Sequence, residues 1–352
     1  MALTVLSVAY PFAPVGPDAV GGAEQVLAAL DRALVAAGHR SLVIACTGSR
    51  VAGVLLPVQP PGGRIDDATR AAVQGAVRRR IAEALARHPV DLVHLHGIDF
   101  ATYLPPPGIT TLATLHLPPD WYPADTFAAT RPDLHMVCVS ETQQRACPPG
   151  ARLLPPIGNG VDASPTVKAT RRRFALALGR VCPEKGFHHA LDAARLAGLP
   201  LLIGGRVFPY EAHERHFAEE IWPRLGAGSR FLGPVGGARK RRLLSAARCL
   251  LVPSLVPETS SLVSMEAMAN GTPVVAYRSG ALAEIVEPGV TGFLVEPGDI
   301  TGLADAARAA DSIDPAACRA AARTRFAVER TTDRYLDLYR RLADGAARAG
   351  AA

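Results

Sequence analysis

Short runs of consecutive apolar residues alternate along this chain with longer stretches in which apolar residues return every three or four positions. The first pattern predicts buried strands and the second predicts helices with one buried face. Leu3 to Ala9 reads as a strand, and Gly22 to Ala37 as a helix stopped by Gly38. Leu42 to Ala45, Val90 to Leu95, Thr110 to Leu115 and Met136 to Val139 read as further strands, with a helix over Asp66 to Arg87 broken by Pro89. The pattern then restarts: a strand at Phe174 to Leu178, a helix from Gly186 to Leu196, and strands at Leu199 to Ile203, Arg230 to Leu232, Leu250 to Val252, Pro273 to Ala276 and Gly292 to Val295. A last helix covers Val328 to Ala347.

Strand and helix in strict alternation predict an α/β fold, with a parallel sheet covered on both faces. Two such units of similar size are the simplest account. Glycine, proline and aspartate cluster between Asn159 and Thr170, where the boundary is expected. The expected domains are therefore 1–163, joined by the helix 328–347, and 164–327. No repeat of solenoid period is present.

Composition narrows the class. With 352 residues and 49% hydrophobic content, the chain can bury two ordinary cores. No apolar run is long enough to span a bilayer, and the first residues read as a strand instead of a signal peptide, so a cytoplasmic protein is expected. Cys46, Cys138, Cys147, Cys182, Cys249 and Cys318 are scattered without a Cys-x-x-Cys pair, which argues against a zinc site or a disulfide framework. The formal charge is +6, carried almost wholly by arginine, with lysine only at positions 168, 185 and 240. A lysine at a motif position therefore asks for a specific explanation. The basic clusters Arg78-Arg79-Arg80, Arg171-Arg172-Arg173 and Arg239-Lys240-Arg241-Arg242 read first as solvated faces. Weak peripheral contact with anionic lipid at the inner membrane face is the second reading. With 5% aromatic residues and none interleaved with these clusters, nucleic acid is not an expected partner.

Two glutamates frame the most informative segment. Pro253-Ser254-Leu255-Val256-Pro257-Glu258-Thr259-Ser260-Ser261 is a strand-to-helix turn, and Glu266 projects from the helix that follows. Ser260 or Ser261 is the expected N-cap, and the first amides of the helix favour an anion. Glu266 is placed to accept from both hydroxyls of a ribose, and Glu258 from hydroxyls of a sugar. For the bare spacing alone, two surface carboxylates bracketing a helix start are the better account, since such spacings arise by chance; the flanking sequence shifts the balance. A second turn, Gly179-Arg180-Val181-Cys182-Pro183-Glu184-Lys185-Gly186, offers Arg180 and Lys185 to a pyrophosphate; for Arg180 alone a surface ion pair is a serious rival. Gly16 and Gly21-Gly22-Ala23-Glu24 join the first strand to the first helix, where an α/β sheet binds ligands and where glycine allows close approach. A flexible loop explains those glycines as well.

His94 and His96 share one face of a strand, and His116 ends the next. A metal site there lacks a signalled third ligand. We assign hydrogen-bonding roles to His116 and His96, and a satisfied core role to His94. Trp121 and Tyr122 are candidate stacking surfaces for an acceptor, and Asp99 beside Phe100 a candidate acceptor contact; either stretch also reads as a packed loop. The chain has no Gly-x-Gly-x-x-Gly and no Asp-x-Asp, which removes a dehydrogenase fingerprint and an obvious carboxylate pair for a metal on a diphosphate.

Together these features resemble the retaining glycosyltransferases of the GT-B fold, family four, also called group one. The resemblance is carried by Glu258, Glu266-Ala267-Met268-Ala269, Gly271-Thr272-Pro273-Val274-Val275-Ala276, Glu284-Ile285-Val286, Gly289-Val290-Thr291-Gly292-Phe293-Leu294-Val295, Gly21-Gly22-Ala23-Glu24, Val139-Ser140-Glu141, Asn159-Gly160-Val161-Asp162 and Gly179-Arg180 with Lys185-Gly186. It implies two Rossmann-like domains facing each other across a cleft, with the last helix crossing back to the first domain. It implies that Glu266 binds the donor ribose and Glu258 the donor sugar. Arg180 and Lys185 would neutralise the diphosphate, supported by amides around Thr259, Ser260, Ser261 and Leu262. Gly21 and Gly22 would line the donor pocket, and His116 would contact the transferred sugar. One departure stands out: the family's frequent Gly-Phe-Gly after the first glutamate is Thr259-Ser260-Ser261 here, which leaves the donor sugar open.

The implied reaction moves a sugar from a nucleoside diphosphate donor (UDP- or GDP-sugar) to an acceptor hydroxyl with retained configuration and without metal or other cofactor. The acceptor is a small molecule, glycan or lipid. A nucleotide-sugar epimerase or phosphorylase on the same fold, or a non-catalytic nucleotide-sugar binder, are the rival readings. A glycosidase fits worst, because Glu258 and Glu266 lie on one turn and helix instead of flanking a substrate.

Overall fold

The computed structural model describes residues 2–59, 65–128, 131–164, 170–226 and 228–350, the last five by backbone alone. Lys168 and residues 165–169 of the expected boundary stretch lie outside them. The protein has a two-domain α/β GT-B fold, and the chain divides into Met1–Gly158 with Glu329–Ala352, and Asn159–Val328.

Among the described residues, the first unit holds a seven-stranded parallel sheet: β1 (Thr4–Val8), β2 (Arg40–Cys46), β3 (Val54–Val58), β4 (Leu92–Leu95), β5 (Thr111–Leu115), β6 (Leu134–Cys138) and β7 (Leu153–Leu154), in the order β3-β2-β1-β4-β5-β6-β7. The connecting helices include α1 (Gly22–Ala36), α2 (Asp67–Arg87) and α3 (Glu141–Ala146). Alternate strand residues face opposite layers. Leu6, Val8, Leu42 and Ile44 meet Val73, Val77 and Ile81 of α2, whereas Val43 and Ala45 meet Leu27 and Ala28 of α1. Asp66 caps α2, its carboxylate accepting from the Thr69 amide at 2.8 Å.

The second unit repeats the plan. Its strands are β8 (Ala175–Arg180), β9 (Leu201–Arg206), β10 (Arg230–Phe231), β11 (Cys249–Val252), β12 (Val274–Tyr277) and β13 (Gly292–Val295), in the order β10-β9-β8-β11-β12-β13, all parallel. Its helices are α4 (Phe187–Ala197), α5 (Glu211–His216), α6 (Gly237–Ala246), α7 (Leu262–Ala269), α8 (Leu282–Ile285), α9 (Ile300–Ala309) and α10 (Pro315–Arg325). Leu176, Leu178, Leu250 and Val252 pack on Met265 and Met268 of α7; Ala175, Ala177, Cys249 and Leu251 pack on the opposite layer with Leu191 and Leu303.

The chain then runs into α11 (Val328–Gly350), which belongs to the first unit from Glu329 onward. Its Tyr335 and Tyr339 are fully buried there. Residues 159–163 group with the second unit, because the Val161 amide bonds the Phe326 carbonyl at 2.8 Å and the Val328 amide bonds the Val161 carbonyl at 2.9 Å.

Strand order reverses direction between β1 and β4 in one sheet, and between β8 and β11 in the other. The carboxyl ends of strands at such a switch point open a crevice where doubly wound folds bind ligands.

Candidate functional site

In the second unit the two loops at the switch point are sewn together by the main chain. After β8 the chain makes a single tight turn, Pro183–Lys185, into α4. After β11 it leaves through Pro253 and Ser254. The Leu255 amide donates to the Glu184 carbonyl at 2.8 Å. Gly186 stands between them with φ of 62°, and a Cβ there would lie 2.1 Å from the Pro253 carbonyl oxygen. Only glycine satisfies both conditions.

That seam brings Lys185 to Glu258. Their Nζ and Oε1 atoms are 2.6 Å apart, and the fully buried Ser254 donates its hydroxyl to the same Oε1. Glu258 is only 9% exposed, so its charge is held by partners instead of water. Its backbone is fixed from the other side: the Ala281 amide bonds the Glu258 carbonyl at 2.7 Å, and a Cβ on Gly280 would meet that carbonyl oxygen at 2.2 Å. Arg180 ends β8 half-buried. Its guanidinium makes no ion pair or hydrogen bond among the described residues.

Glu266 sits one turn into α7, its Oε1 2.6 Å from the Nζ of Lys240 on α6. The Asn270 amide group bonds the Glu266 carbonyl at 2.8 Å and accepts from the Ser245 hydroxyl at 3.0 Å. Lys240 is thus no part of a solvated basic face, as its sequence neighbours suggested; its side chain is 14% exposed and committed to Glu266. Ser261 is the N-cap residue of α7, but its hydroxyl pairs with Ser264 Oγ at 2.8 Å and leaves the first amides free of a side-chain cap. The Ser260 hydroxyl is buried without a partner, and Thr259 is half-buried. Leu262 opens the helix.

In the first unit, Gly21 is the N-cap of α1 and Gly22 its first residue, with the Glu24 carboxylate folded against Gly21 where a Cβ would stand. His94 is satisfied on both nitrogens, by Tyr339 and Thr114 hydroxyls at 2.7 Å each. His96 Nδ1 lies 3.0 Å from His116 Nε2, and the rings stack with centroids 5.3 Å apart. Burial holds His116 down to about 4, so it is neutral near pH 7. Tyr122 is buried, and its hydroxyl accepts from the His116 and Leu117 amides at 2.9 and 3.3 Å. It props the loop that carries His116; its ring is not presented as a stacking platform. Asp99 is likewise spent locally, accepting from the Tyr103 hydroxyl at 2.9 Å and the Gln74 amide at 2.8 Å. Trp121 remains exposed.

The model for glycosyl transferases group 1 matches residues 162–325, and that for glycosyltransferase family 4 matches residues 20–164, so the two together run through most of the chain. The protein belongs to the family 4, group 1, glycosyltransferases.

Among its family relatives, a glycogen synthase of Mycobacterium tuberculosis is 34% identical over 50% of this chain and 44% of its own length. A D-inositol 3-phosphate glycosyltransferase of Nocardioides is 29% identical over 72% of this chain and 48% of its own. The matched segments thus span less than half of these curated relatives. Solved structures match nearly end to end. A glycosyltransferase involved in avilamycin A biosynthesis is 25% identical with a TM-score of 0.71, covering 97% of this chain and 98% of that one. The sucrose-phosphate synthase of Thermosynechococcus elongatus is 21% identical with a TM-score of 0.78, covering 97% and 100%.

Ser254, Lys240 and Gly280 stand beside the candidate site residues and were not assigned to the site by sequence reasoning. Only Lys240 carried a signal, the scarcity of lysine. The arginine clusters are partly structural: Arg78 donates to the Thr102 carbonyl, Arg80 to Glu83 at 3.0 Å, and Arg171 to the Gly271 carbonyl at 2.7 Å. No helix among the described residues is long and apolar enough to cross a membrane.

Proposed function

We propose that this glycosyltransferase moves a sugar from a nucleoside diphosphate donor to an acceptor hydroxyl, with retention at the anomeric carbon. The observation that carries the reading is the Lys185–Glu258 pair, fixed at the switch point of the second sheet within a seam of main-chain bonds. Glu258 accepts from donor sugar hydroxyls and Glu266 from the ribose. Lys185 shares its charge between Glu258 and the diphosphate, and Arg180, whose guanidinium has no partner to give up among the described residues, adds a forked donor. The free amides opening α7 complete the anion site. A UDP-sugar is the favoured donor, in keeping with the Anabaena HepE structures solved with UDP-glucose and with UDP, which share this fold with a TM-score of 0.74 at 20% identity for the UDP-glucose complex.

In the step itself, the bond from the anomeric carbon to the phosphate oxygen breaks and a bond to the acceptor oxygen forms on the same face. The acceptor proton passes to the departing phosphate oxygen. Negative charge grows on the diphosphate, where Arg180, Lys185 and the α7 amides stabilise it, so the reading calls for no metal on the phosphates. His116, neutral and aligned by His96, is assigned the contact with the transferred sugar. Trp121 is the remaining aromatic candidate for acceptor binding.

The test is a screen of UDP- and GDP-sugars by thermal shift, followed by transfer assays with the best donor and NMR of the product's anomeric configuration, in buffer with chelator. Retained product in chelator is expected. Conversion of the donor without any acceptor would favour an epimerase, and tight donor binding without turnover a binding protein.

A further inference from the structure

Cys182, Glu184 and His213 each offer one ligand atom, and those atoms all lie within 4.8 Å of one another. Cys182 and Glu184 flank Pro183 on the turn that leads to Lys185, and His213 comes from α5. We propose that these three side chains form a binding site for a borderline-soft divalent cation of the zinc class. The proposal stands on the second unit alone and does not rest on the sugar-transfer reading.

Three features favour it. A thiol, an imidazole and a carboxylate are the donor set that zinc takes, and it discriminates against magnesium and calcium, which take oxygen. Cys182 is buried, and Glu184 and His213 are half-buried beside it. The His213 Nδ1 is buried without a hydrogen-bond partner, an uncompensated lone pair or N–H that the rest of the fold does not explain. The Cys182 thiol donates to the Arg180 carbonyl at 3.8 Å, a weak bond that leaves the His213 nitrogen orphaned.

Size permits it. Ligand atoms round a tetrahedral zinc stand roughly 3.5 Å apart, given bonds of about 2.0–2.3 Å. A contraction of about 1 Å from the present separations closes the site, within reach of side-chain rotation in Glu184 and His213. The thiolate and carboxylate together balance the charge of the ion, which offsets the nearby Arg180 guanidinium that all three residues sense. Three protein ligands leave a fourth position for water. Since Cys182 lies between Arg180 and Lys185, an ion here would brace a turn that the main-chain seam already holds, so transfer survives in chelator and the role is positioning, not Lewis-acid chemistry.

The experiment titrates the full-length chain, stripped with chelator, with Co²⁺ and then Zn²⁺. One equivalent of Co²⁺ should give a thiolate-to-cobalt charge-transfer band, and Zn²⁺ should displace it. The band should vanish in Cys182→Ser and persist in Cys138→Ser, which removes one of the two thiols lying 3.6 Å apart elsewhere. Zinc affinity, read by calorimetry, should fall by more than about 100-fold in His213→Ala, beyond what loss of an outer-shell partner causes. Calorimetry on His213→Ala and Glu184→Gln decides the matter even if Cys182→Ser does not fold. A band that survives in Cys182→Ser, no stoichiometric binding by the parent chain, or unchanged zinc affinity in both other variants would overturn the proposal.

Discussion

Lys185 Nζ and Glu258 Oε1 stand 2.6 Å apart across 73 residues of sequence, with Ser254 on the same carboxylate oxygen. Lys185→Ala strands a nearly buried carboxylate beside one hydroxyl. It should lower stability by about 1–3 kcal/mol in chemical denaturation and transfer activity by roughly 100-fold or more. In a double-mutant cycle, Lys185→Ala with Glu258→Gln should be clearly non-additive in stability. Additive losses would mean that the two groups act independently.

Glycines at the seam should be far less replaceable than glycines of similar backbone elsewhere. Gly280→Ala drives a methyl group into the Glu258 main chain, whereas Gly289, with φ of 78°, has open space about it. Gly289→Ala should cost only the left-handed backbone penalty, about 1–2 kcal/mol. Gly280→Ala should cost more and should also abolish donor binding, as measured by calorimetry with UDP. Equal effects of the two substitutions would contradict the role given to Gly280.

Lys240 acts through Glu266. Lys240→Ala should raise the donor KM roughly tenfold and leave kcat within about twofold, the signature of lost ground-state binding. A large fall in kcat at unchanged KM would place Lys240 at the reacting atoms instead.

The histidines of the first unit set a pH limit. Burial holds His94 and His96 well below their ordinary value, and His116 at about 4. Their folded values lie below the unfolded value near 6.5, so the unfolded chain binds more protons as pH falls. Their contribution is complete above pH 6.5 and is lost progressively between 6.5 and the folded values. Denaturation midpoints measured from pH 8 to pH 5 should hold steady and then fall below about pH 6. A flat profile to pH 5 would show that these rings are not buried neutral.

Trp121 and Tyr122 should separate cleanly. Tyr122→Phe leaves two backbone amides without their acceptor and should lower the melting temperature. Trp121→Ala should leave melting unchanged and raise the KM for the acceptor. The reverse pattern would exchange their roles.

The central strands and the helices α1, α2, α4, α7 and α11 were legible because buried parallel strands read as short apolar runs and the longer helices keep one apolar face, whereas α3, α5, α6, α8, α9 and α10 were not assigned. β3 was not read, since Pro57 interrupts Val54–Val58 and proline marks a strand only at an edge. β7, two residues long, falls below what a pattern can register. At the site, Glu258, Glu266, Arg180 and Lys185 were picked out by residue type within recognisable turns. Their partners were not: Lys240 meets Glu266 from a separate helix, and Ser254 turns back on Glu258. For Asp99 and Tyr122 the sequence left recognition and loop packing both open, and the folded loops show that each is engaged by neighbours. The expected boundary stretch opens at Asn159, where the second unit begins, but the break was set at 163; Val161, which bonds Phe326 and Val328, belongs to the second unit.

Pro57 has a further consequence. Among the described residues β3 closes one side of its sheet, paired with β2 alone. Facing outward there, Pro57 has no N–H to offer, and its carbonyl is already engaged by Arg80 at 3.1 Å. A second polypeptide seeking to lengthen the sheet would find neither a donor nor an idle acceptor at that point, so this residue guards the flank against fibrous association.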